Sequence, residues 1–526
     1  MPVEETYDVV VVGGGAAGLS GALALSRARR SVLVIDSGEP RNAPADRVHN
    51  YLGREGTPPG ELLEVGRAEV AGYGGQFHTG RVKEVTRDDD GFRLGLDGGG
   101  SVRARRLLVT TGLTDELPDV PGLAQRWGRD VLHCPYCHGW EVRDRRIGIL
   151  ATGPFAVHQA EMWRQWSADV LLLLHDAPAP DAEAAERLAA RGIAVVPGPI
   201  AEIEVTGDAL TGVRLADGRV VALDAVVVAT RLTPRSGLLV GLGLAPEEVT
   251  MGEHVIGAQI PADPTGATSV PGVWVAGNVA DIRGQVITSA AAGLTAGAAI
   301  NADLIAEETR AAVTAYRQVV ATAFEEPAWE ERYQSRPSVW SGRPNPQLVA
   351  EVADLPPGRA LDVGSGEGAD AVWLAERGWQ VTAVDISTTA LDRAAAHADT
   401  AGVGARIDFT HADLRDKPPA EEAYDLVSAQ FMHLPPVQRQ ELFARLAAAV
   451  APGGVLLIVG HHPSDLWTTA RRMHMPDMMF TAEDVAATLD PSDWEVLTAE
   501  ARPRAATDEN GQQITIHDAV LVARRR

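Results

Sequence analysis

In each half of this chain a short β-branched run passes directly into a glycine-spaced turn and then into an alanine-rich helical stretch, which commits the sequence to parallel α/β architecture with nucleotide-shaped ligands. Residues 7–12 (YDVVVV) lead into Gly13, Gly15 and Gly18 in the spacing G-x-G-x-x-G, followed by a helical pattern ending near Arg30. The first glycine permits the tight turn, Gly15 lets backbone approach a pyrophosphate, and Gly18 lets helix and strand pack closely. The next strand, VLVID, ends in Asp36, about twenty residues on, where a carboxylate suits a ribose hydroxyl. The second instance is RALDVGSGEGAD, with Asp362 inside the strand and Gly364, Gly366 and Gly368 spaced G-x-G-x-G. The strand after it, QVTAVDIS, ends in Asp385. At 526 residues the chain exceeds a single core, so two to four domains are expected.

Between the two patterns lies HCPYCHGWE, residues 133–141, which holds both cysteines of the chain, Cys134 and Cys137. Two cysteines spaced C-x-x-C, in a chain that opens on Glu4-Glu5 and a strand rather than on a secretion signal, point to a thiol/disulfide couple. No metal site is expected: closed zinc sites take about four ligands, and only His133 and His138 stand nearby. The formal charge of −24 argues against a nucleic-acid surface. No apolar run is read as reaching the roughly 18 residues of a membrane span, and a cytoplasmic protein is expected.

Further on, GVWVAGNVAD (272–281) is followed by Gln285 and an alanine-rich helical stretch from about 287 to 307. With the first glycine motif and C-x-x-C, this makes the chain to about residue 308 resemble the low-molecular-weight thioredoxin reductase family of flavoproteins. The resemblance implies a discontinuous FAD-binding domain (1–115 and 246–308) interrupted by a nicotinamide-type domain (116–245) that carries the cysteines, and a homodimer formed through this half. It assigns FAD to Gly13, Gly15, Gly18, Asp36, Thr111, Gly112, Gly277, Asn278, Asp281 and Gln285. Asn278 stands where the family has aspartate, so a neutral amide would meet the ribityl–phosphate region. Cys137 is expected to face the flavin and Cys134 to exchange with substrate. His138 replaces the acid that usually follows, and an imidazole there would pair with a thiolate and shuttle its proton; His133 would do likewise for Cys134.

The nicotinamide motif departs from the family. Residues 151–156 read ATGPFA, with Ala151 in place of the first glycine, and the next strand, DVLLLLHDAP, runs to His175-Asp176 where arginines would hold a 2′-phosphate. Efficient NADPH use is therefore not expected. C-x-x-C-H-G with an eroded nicotinamide site resembles the branch of the family that oxidises small dithiols to disulfides with oxygen as acceptor. NAD(P)H-driven disulfide reduction uses the same cysteines in reverse.

After residue 308 a helical stretch over 309–324 and a break at Pro327 suggest a linker (309–328). The remaining 329–526 resemble class I methyltransferases that bind S-adenosylmethionine, on the glycine motif, Asp385, HADL, YDLVSAQFMHLP, the strand VLLIVGH after Pro452-Gly453-Gly454, and the closing pair WEVLTAEA and TIHDAVLVAR. A seven-stranded sheet with an antiparallel final strand is implied. Asp362, Gly364, Gly366 and Gly368 would hold the methionine and ribose parts, Asp385 the ribose, and Asp413 with Leu414 the adenine. Gln430, Phe431, His433, His461 and His462 would line the acceptor pocket, with His433 the catalytic residue among them. Trp329, Tyr333 and Trp340 would close over the cofactor. A small dithiol unites the halves, since its sulfurs can be joined by one and methylated by the other; a tether favours such sharing. The alternatives are a disulfide reductase coupled to methylation and a flavin redox sensor that regulates a methyltransferase.

Overall fold

The computed structural model describes residues 5–153, 155–470 and 476–526, so Pro154 of the ATGPFA turn lies outside the described residues. The chain divides into two units, 1–309 and 310–526.

In the first unit a parallel sheet runs in the order Gln76–Thr79, Val32–Asp36, Thr6–Val12 and Ser101–Val109. Val273–Val275 pairs with the far end of the last strand, and the antiparallel strands Gly91–Leu96 and Val82–Asp88 extend its near end. Val9, Val10 and Val11 are fully buried, the signature of a central strand covered on both faces. The helix Ala16–Arg27 follows directly and crosses the helix Val286–Ala323 at backbone range. A Cβ on Gly293 would lie 1.9 Å from the Ala17 carbonyl oxygen, and one on Gly21 would lie 2.9 Å from the Gly293 carbonyl oxygen. The two antiparallel passages between flavin-type and inserted domains are Leu113–Glu116 and Arg231–Pro234, paired with each other. The inserted domain is a five-stranded parallel sheet in the order Ala194–Val196, Val170–Leu173, Ile147–Leu150, Ala225–Val228, Val131–Leu132, with a three-stranded antiparallel sheet beside it.

The second unit is a single seven-stranded sheet in the order Ile407–His411, Gln380–Asp385, Arg359–Val363, Tyr424–Gln430, Val450–His461, Gln513–Arg525, Trp494–Thr507. Gln513–Arg525 runs antiparallel to both neighbours, as the sequence predicts for the final strand. Helices cover both faces and bury two apolar clusters, one with Leu446, Leu456 and Leu521, the other with Leu374, Leu426 and Val520.

Four expectations change. The two helical stretches expected at 287–307 and 309–324 form one continuous helix of 38 residues, Val286–Ala323, because no breaker interrupts them before Pro327. The stretch 309–328 is therefore no separate linker: Val320, Ala323 and Phe324 pack against the core of the second unit. That same helix is, by length and composition, apolar enough to cross a bilayer, contrary to the reading that no run reaches that length; a third of its most apolar window is buried inside the protein. The strand expected to reach His175-Asp176 stops at Leu173, because His175 turns to φ 54° and bridges Gly198.

Candidate functional site

The carboxyl ends of the first sheet open on a cavity of about 870 Å³ lined by Gly13, Gly15, Asp36, Thr111, Gly112, Gly277, Asn278 and Gln285 together with Cys134, Cys137 and His138. Gly15 caps the helix Ala16–Arg27 without any side-chain bond, and a Cβ there would meet nothing within 4 Å, so the helix N-terminus offers free N–H groups to the cavity. Anions bind such ends. Gly13 adopts φ 110° with the Thr110 carbonyl oxygen 2.5 Å from where a Cβ would stand, which only glycine permits. Gly18 does not line the cavity. It lies against Gly13, whose carbonyl oxygen would be 1.9 Å from an added Cβ, and so serves packing. Asp36 accepts from Gly14 N at 3.0 Å and pairs with Arg67. These residues fit a dinucleotide such as FAD: an uncapped helix end for the pyrophosphate and a carboxylate at the adjacent strand end.

Two assignments shift. Asp281 points away into a neighbouring cavity of about 170 Å³ and accepts from Arg283 N at 3.0 Å, so it is not brought beside the cysteines. Asn278 lines the main cavity, but its amide nitrogen donates to the carbonyls of Asp281 (2.9 Å) and Gly284 (2.8 Å), while its oxygen accepts from Arg41 Nη1 at 3.3 Å. Its amide thus pins the turn 277–284.

The cysteines sit at the start of the short helix Pro135–His138 as free thiols. The bond from Cys137 pulls the Cys134 thiol down to about 7 against the opposing effect of burial, while the same bond and burial push Cys137 up. Neither imidazole is held as a cation. Burial lowers His138 despite Glu141, and burial lowers His133, whose Nδ1 lies 3.2 Å from the Val228 carbonyl oxygen. Burial thus works against the expected ion pair between His138 and a thiolate. The nearby cation is Arg41, which also lines the cavity and which no spacing in the sequence singles out. It forms a bidentate pair with Asp115 at 2.6 and 2.7 Å, and Thr230 donates to the same carboxylate at 2.9 Å. Asn50, at φ 60°, donates to the Tyr136 carbonyl at 2.7 Å and so ties residues 48–57 to the cysteine helix.

In the inserted domain, His175 Nδ1 accepts from Ile200 N at 2.9 Å and its Nε2 lies 3.2 Å from Asp176. The Phe155 ring heads the helix Ala156–Trp163 and meets His254 edge-on at 5.8 Å.

In the second unit Asp362, Gly364, Gly366 and Asp385 meet at the carboxyl ends of two neighbouring strands. Asp385 accepts from Gly366 N and Ser387 N, each at 2.9 Å, and so holds the glycine turn. Gly368 packs against Ala394 and caps the helix Ala369–Glu376. Asp362 is 2 % exposed, and its Oδ2 has no hydrogen-bond partner among the described residues; Ser365 Oγ and Gln430 Oε1 are likewise buried and unpartnered there. Burial, then Asp370 and Asp385, raise the Asp362 carboxyl, and burial pushes Asp370 up to about 6. Unmet acceptors and crowded acids suit a cationic, donor-rich ligand such as S-adenosylmethionine. Trp340 Nε1 donates to Tyr333 Oη at 2.9 Å, and an added Cβ on Gly366 would lie 2.9 Å from that hydroxyl, so the aromatic segment rests on the glycine turn. Glu367 holds it there through Val339 N and Trp340 N at 3.2 and 3.1 Å.

Asp413 and Leu414 are placed otherwise than expected. Arg415 takes the Asp413 carboxylate with Nη2 at 2.6 Å, and Leu414 is buried in the core beside the strands. His433 Nε2 accepts from His461 N at 3.1 Å, and the two rings stack at 4.4 Å. Nε2 is thereby engaged as an acceptor, and the Phe431 ring lies 4.8 Å from His461. His462 turns to Ser464 at 2.9 Å. No group of metal-ligating residues occurs among the described residues.

Comparison with known proteins agrees with both units. Residues 7–297 match the family described as pyridine nucleotide-disulphide oxidoreductase, and residues 360–454 match a methyltransferase domain. The chain is 30 % identical to thioredoxin reductase tcpT of Claviceps purpurea (strain 20.1), over 58 % of this chain and 97 % of that protein. It is also 30 % identical to thioredoxin reductase sirT of Leptosphaeria maculans, over 56 % and 93 %. Among solved structures it is similar to HlmI, at 45 % identity and TM-score 0.56 over 61 % of this chain and 98 % of that one. An oxidoreductase from Agrobacterium tumefaciens follows at 37 % identity and TM-score 0.54, over 57 % and 99 %. The chain thus belongs to the pyridine nucleotide-disulphide oxidoreductase family and carries a methyltransferase domain behind that unit.

Proposed function

We propose that this protein oxidises a small dithiol to a disulfide with oxygen as the final acceptor, using FAD in its first unit, and that its second unit transfers methyl groups from S-adenosylmethionine to a small thiol. The observation that carries the first part is the single cavity that holds both cysteines and the flavin-motif residues. Bound there, FAD supplies a two-electron acceptor that oxygen can restore. Cys134, with its lowered pKa, is the sulfur suited to exchange with substrate at neutral pH; Cys137 is suited to face the flavin. The neutral imidazoles of His138 and His133 are suited to accept the substrate's protons. Overall, one dithiol and one oxygen give one disulfide and one hydrogen peroxide.

Against NAD(P)H as donor stand Ala151 in the turn and the engagement of His175 with Ile200, and against NADPH in particular the carboxylate of Asp176 where a 2′-phosphate would need a cation. In the second unit the unmet acceptors of Asp362, Ser365 and Gln430 support a cofactor site, and a thiol acceptor needs no strong base because its ordinary pKa of about 8.5 leaves some thiolate at neutral pH.

Anaerobic titration tests the redox part. A dithiol should bleach the yellow flavin absorbance, and NADH or NADPH should leave it unchanged within the same time. Rapid bleaching by either nicotinamide would replace this reading with disulfide reduction. Methyl transfer to small thiols, followed by product mass, tests the second part.

A further inference from the structure

Arg41 belongs to neither glycine motif and stands in the segment that follows the strand Val32–Asp36, yet it reaches the wall of the cavity that holds Cys134 and Cys137. Its guanidinium is fixed on one side by Asp115, whose side chain is 6 % exposed, and on the other by the neutral amide oxygen of Asn278. Asp115 itself lies on the strand Leu113–Glu116 that leads into the inserted domain. An aspartate at 278 would place the guanidinium between two carboxylates. With asparagine there, Asp115 is the single carboxylate bonded to it among the described residues, and part of its field is left for the cavity.

We propose that Arg41, held by Asp115 and Asn278, is the positioning residue that stabilises the thiolate of the Cys134–Cys137 pair during dithiol oxidation. The proposal rests on the redox reading above. In that exchange a substrate thiolate attacks Cys134 Sγ of the closed pair, the Cys134–Cys137 bond breaks, and Cys137 leaves as a thiolate. The second substrate thiolate then attacks the substrate sulfur bonded to Cys134, forms the product disulfide, and releases Cys134 as a thiolate. Two electrons pass from substrate to protein, and two protons pass to solvent or imidazole. Each step makes a buried sulfur anion, and a fixed guanidinium on the cavity wall favours it. The other titratable groups that face the pair are His133, His138 and Asp115, with His49, Glu141 and Asp46 around His138. Both histidines are driven toward the neutral form, and of the arginines that line the cavity, Arg41, Arg47, Arg81, Arg235 and Arg283, Arg41 is the one whose charge acts on the two thiols. Its field acts to lower both thiols, as a smaller contribution than the bond between them.

The test is the pH profile of iodoacetamide alkylation of the flavin-loaded, anaerobically reduced full chain, with each cysteine followed by peptide mass. Arg41→Gln should move the Cys134 midpoint upward by about 0.5 to 1 pH unit, and Arg41→Lys should stay near the parent. Asp115→Asn, which removes the counter-charge and leaves the cation, should move it downward. A merely structural role would shift both Arg41→Gln and Asp115→Asn in one direction or leave both in place, and either result overturns the proposal. A parent midpoint at the ordinary thiol value of about 8.5 would overturn the redox reading along with it.

Discussion

Asn278 shows how one atom of difference fixes a local structure. Its amide nitrogen meets two carbonyl oxygens at 2.9 and 2.8 Å, contacts that a carboxylate would turn into repulsion. Asn278→Asp should lower the stability of the first unit by about 1–3 kcal/mol, read as a lower melting temperature of the flavin-loaded protein; an unchanged melting temperature would refute the assignment. Titration supplies a second prediction. Burial raises Asp370 to about 6, above its unfolded value, so its contribution to stability is complete below the unfolded pKa near 4 and is lost as pH rises through about 6. The second unit of the parent should therefore lose melting temperature between about pH 4 and about pH 6, and Asp370→Asn, which still accepts from Asn345 N at 2.6 Å, should flatten that slope. Identical slopes would show that Asp370 does not titrate in this range.

At the scale of elements, the helix crossing of Ala16–Arg27 with Val286–Ala323 depends on bare backbone. Gly293→Ala would set a methyl against the Ala17 carbonyl oxygen, and overpacking of this kind should cost about 1–3 kcal/mol and weaken flavin retention, measured by denaturant titration and by flavin released on gel filtration. The same dependence explains why this part was legible in the sequence. Strand, turn and helix in G-x-G-x-x-G are adjacent in the chain, so Gly13, Gly15 and Asp36 could be placed from spacing alone. Arg41 could not, because it meets Asp115 74 residues away and Asn278 237 residues away through loops without periodicity. Asp413 misled for a local reason. Spacing put it at a strand end, but Arg415 two residues on captures its carboxylate. The contact of His433 was likewise not legible, since its Nε2 accepts from a backbone N–H 28 residues away.

For the whole molecule, the sequence reading of two catalytic units predicts that they can be disabled separately. Cys134→Ser with Cys137→Ser should abolish dithiol-dependent oxygen uptake and leave methyl transfer to a small thiol within about twofold, measured by labelled methyl incorporation. Loss of both activities would favour a redox sensor that governs the methyltransferase. A tether that holds two active units together raises the local concentration of a shared substrate to about millimolar, which matters most when the intermediate is an unstable thiol.

The helix Val286–Ala323 carries a practical consequence for anyone dividing this gene into halves. The apparent seam at Pro327 is the wrong place to cut, because a downstream fragment that starts there would leave Val320, Ala323 and Phe324 behind and expose the apolar surface they cover. A fragment that begins near residue 310 keeps them, at the cost of starting in the middle of a helix. Any hybrid in which the second half is exchanged must therefore carry its own counterpart of residues 320–324, because they belong to the core of that half.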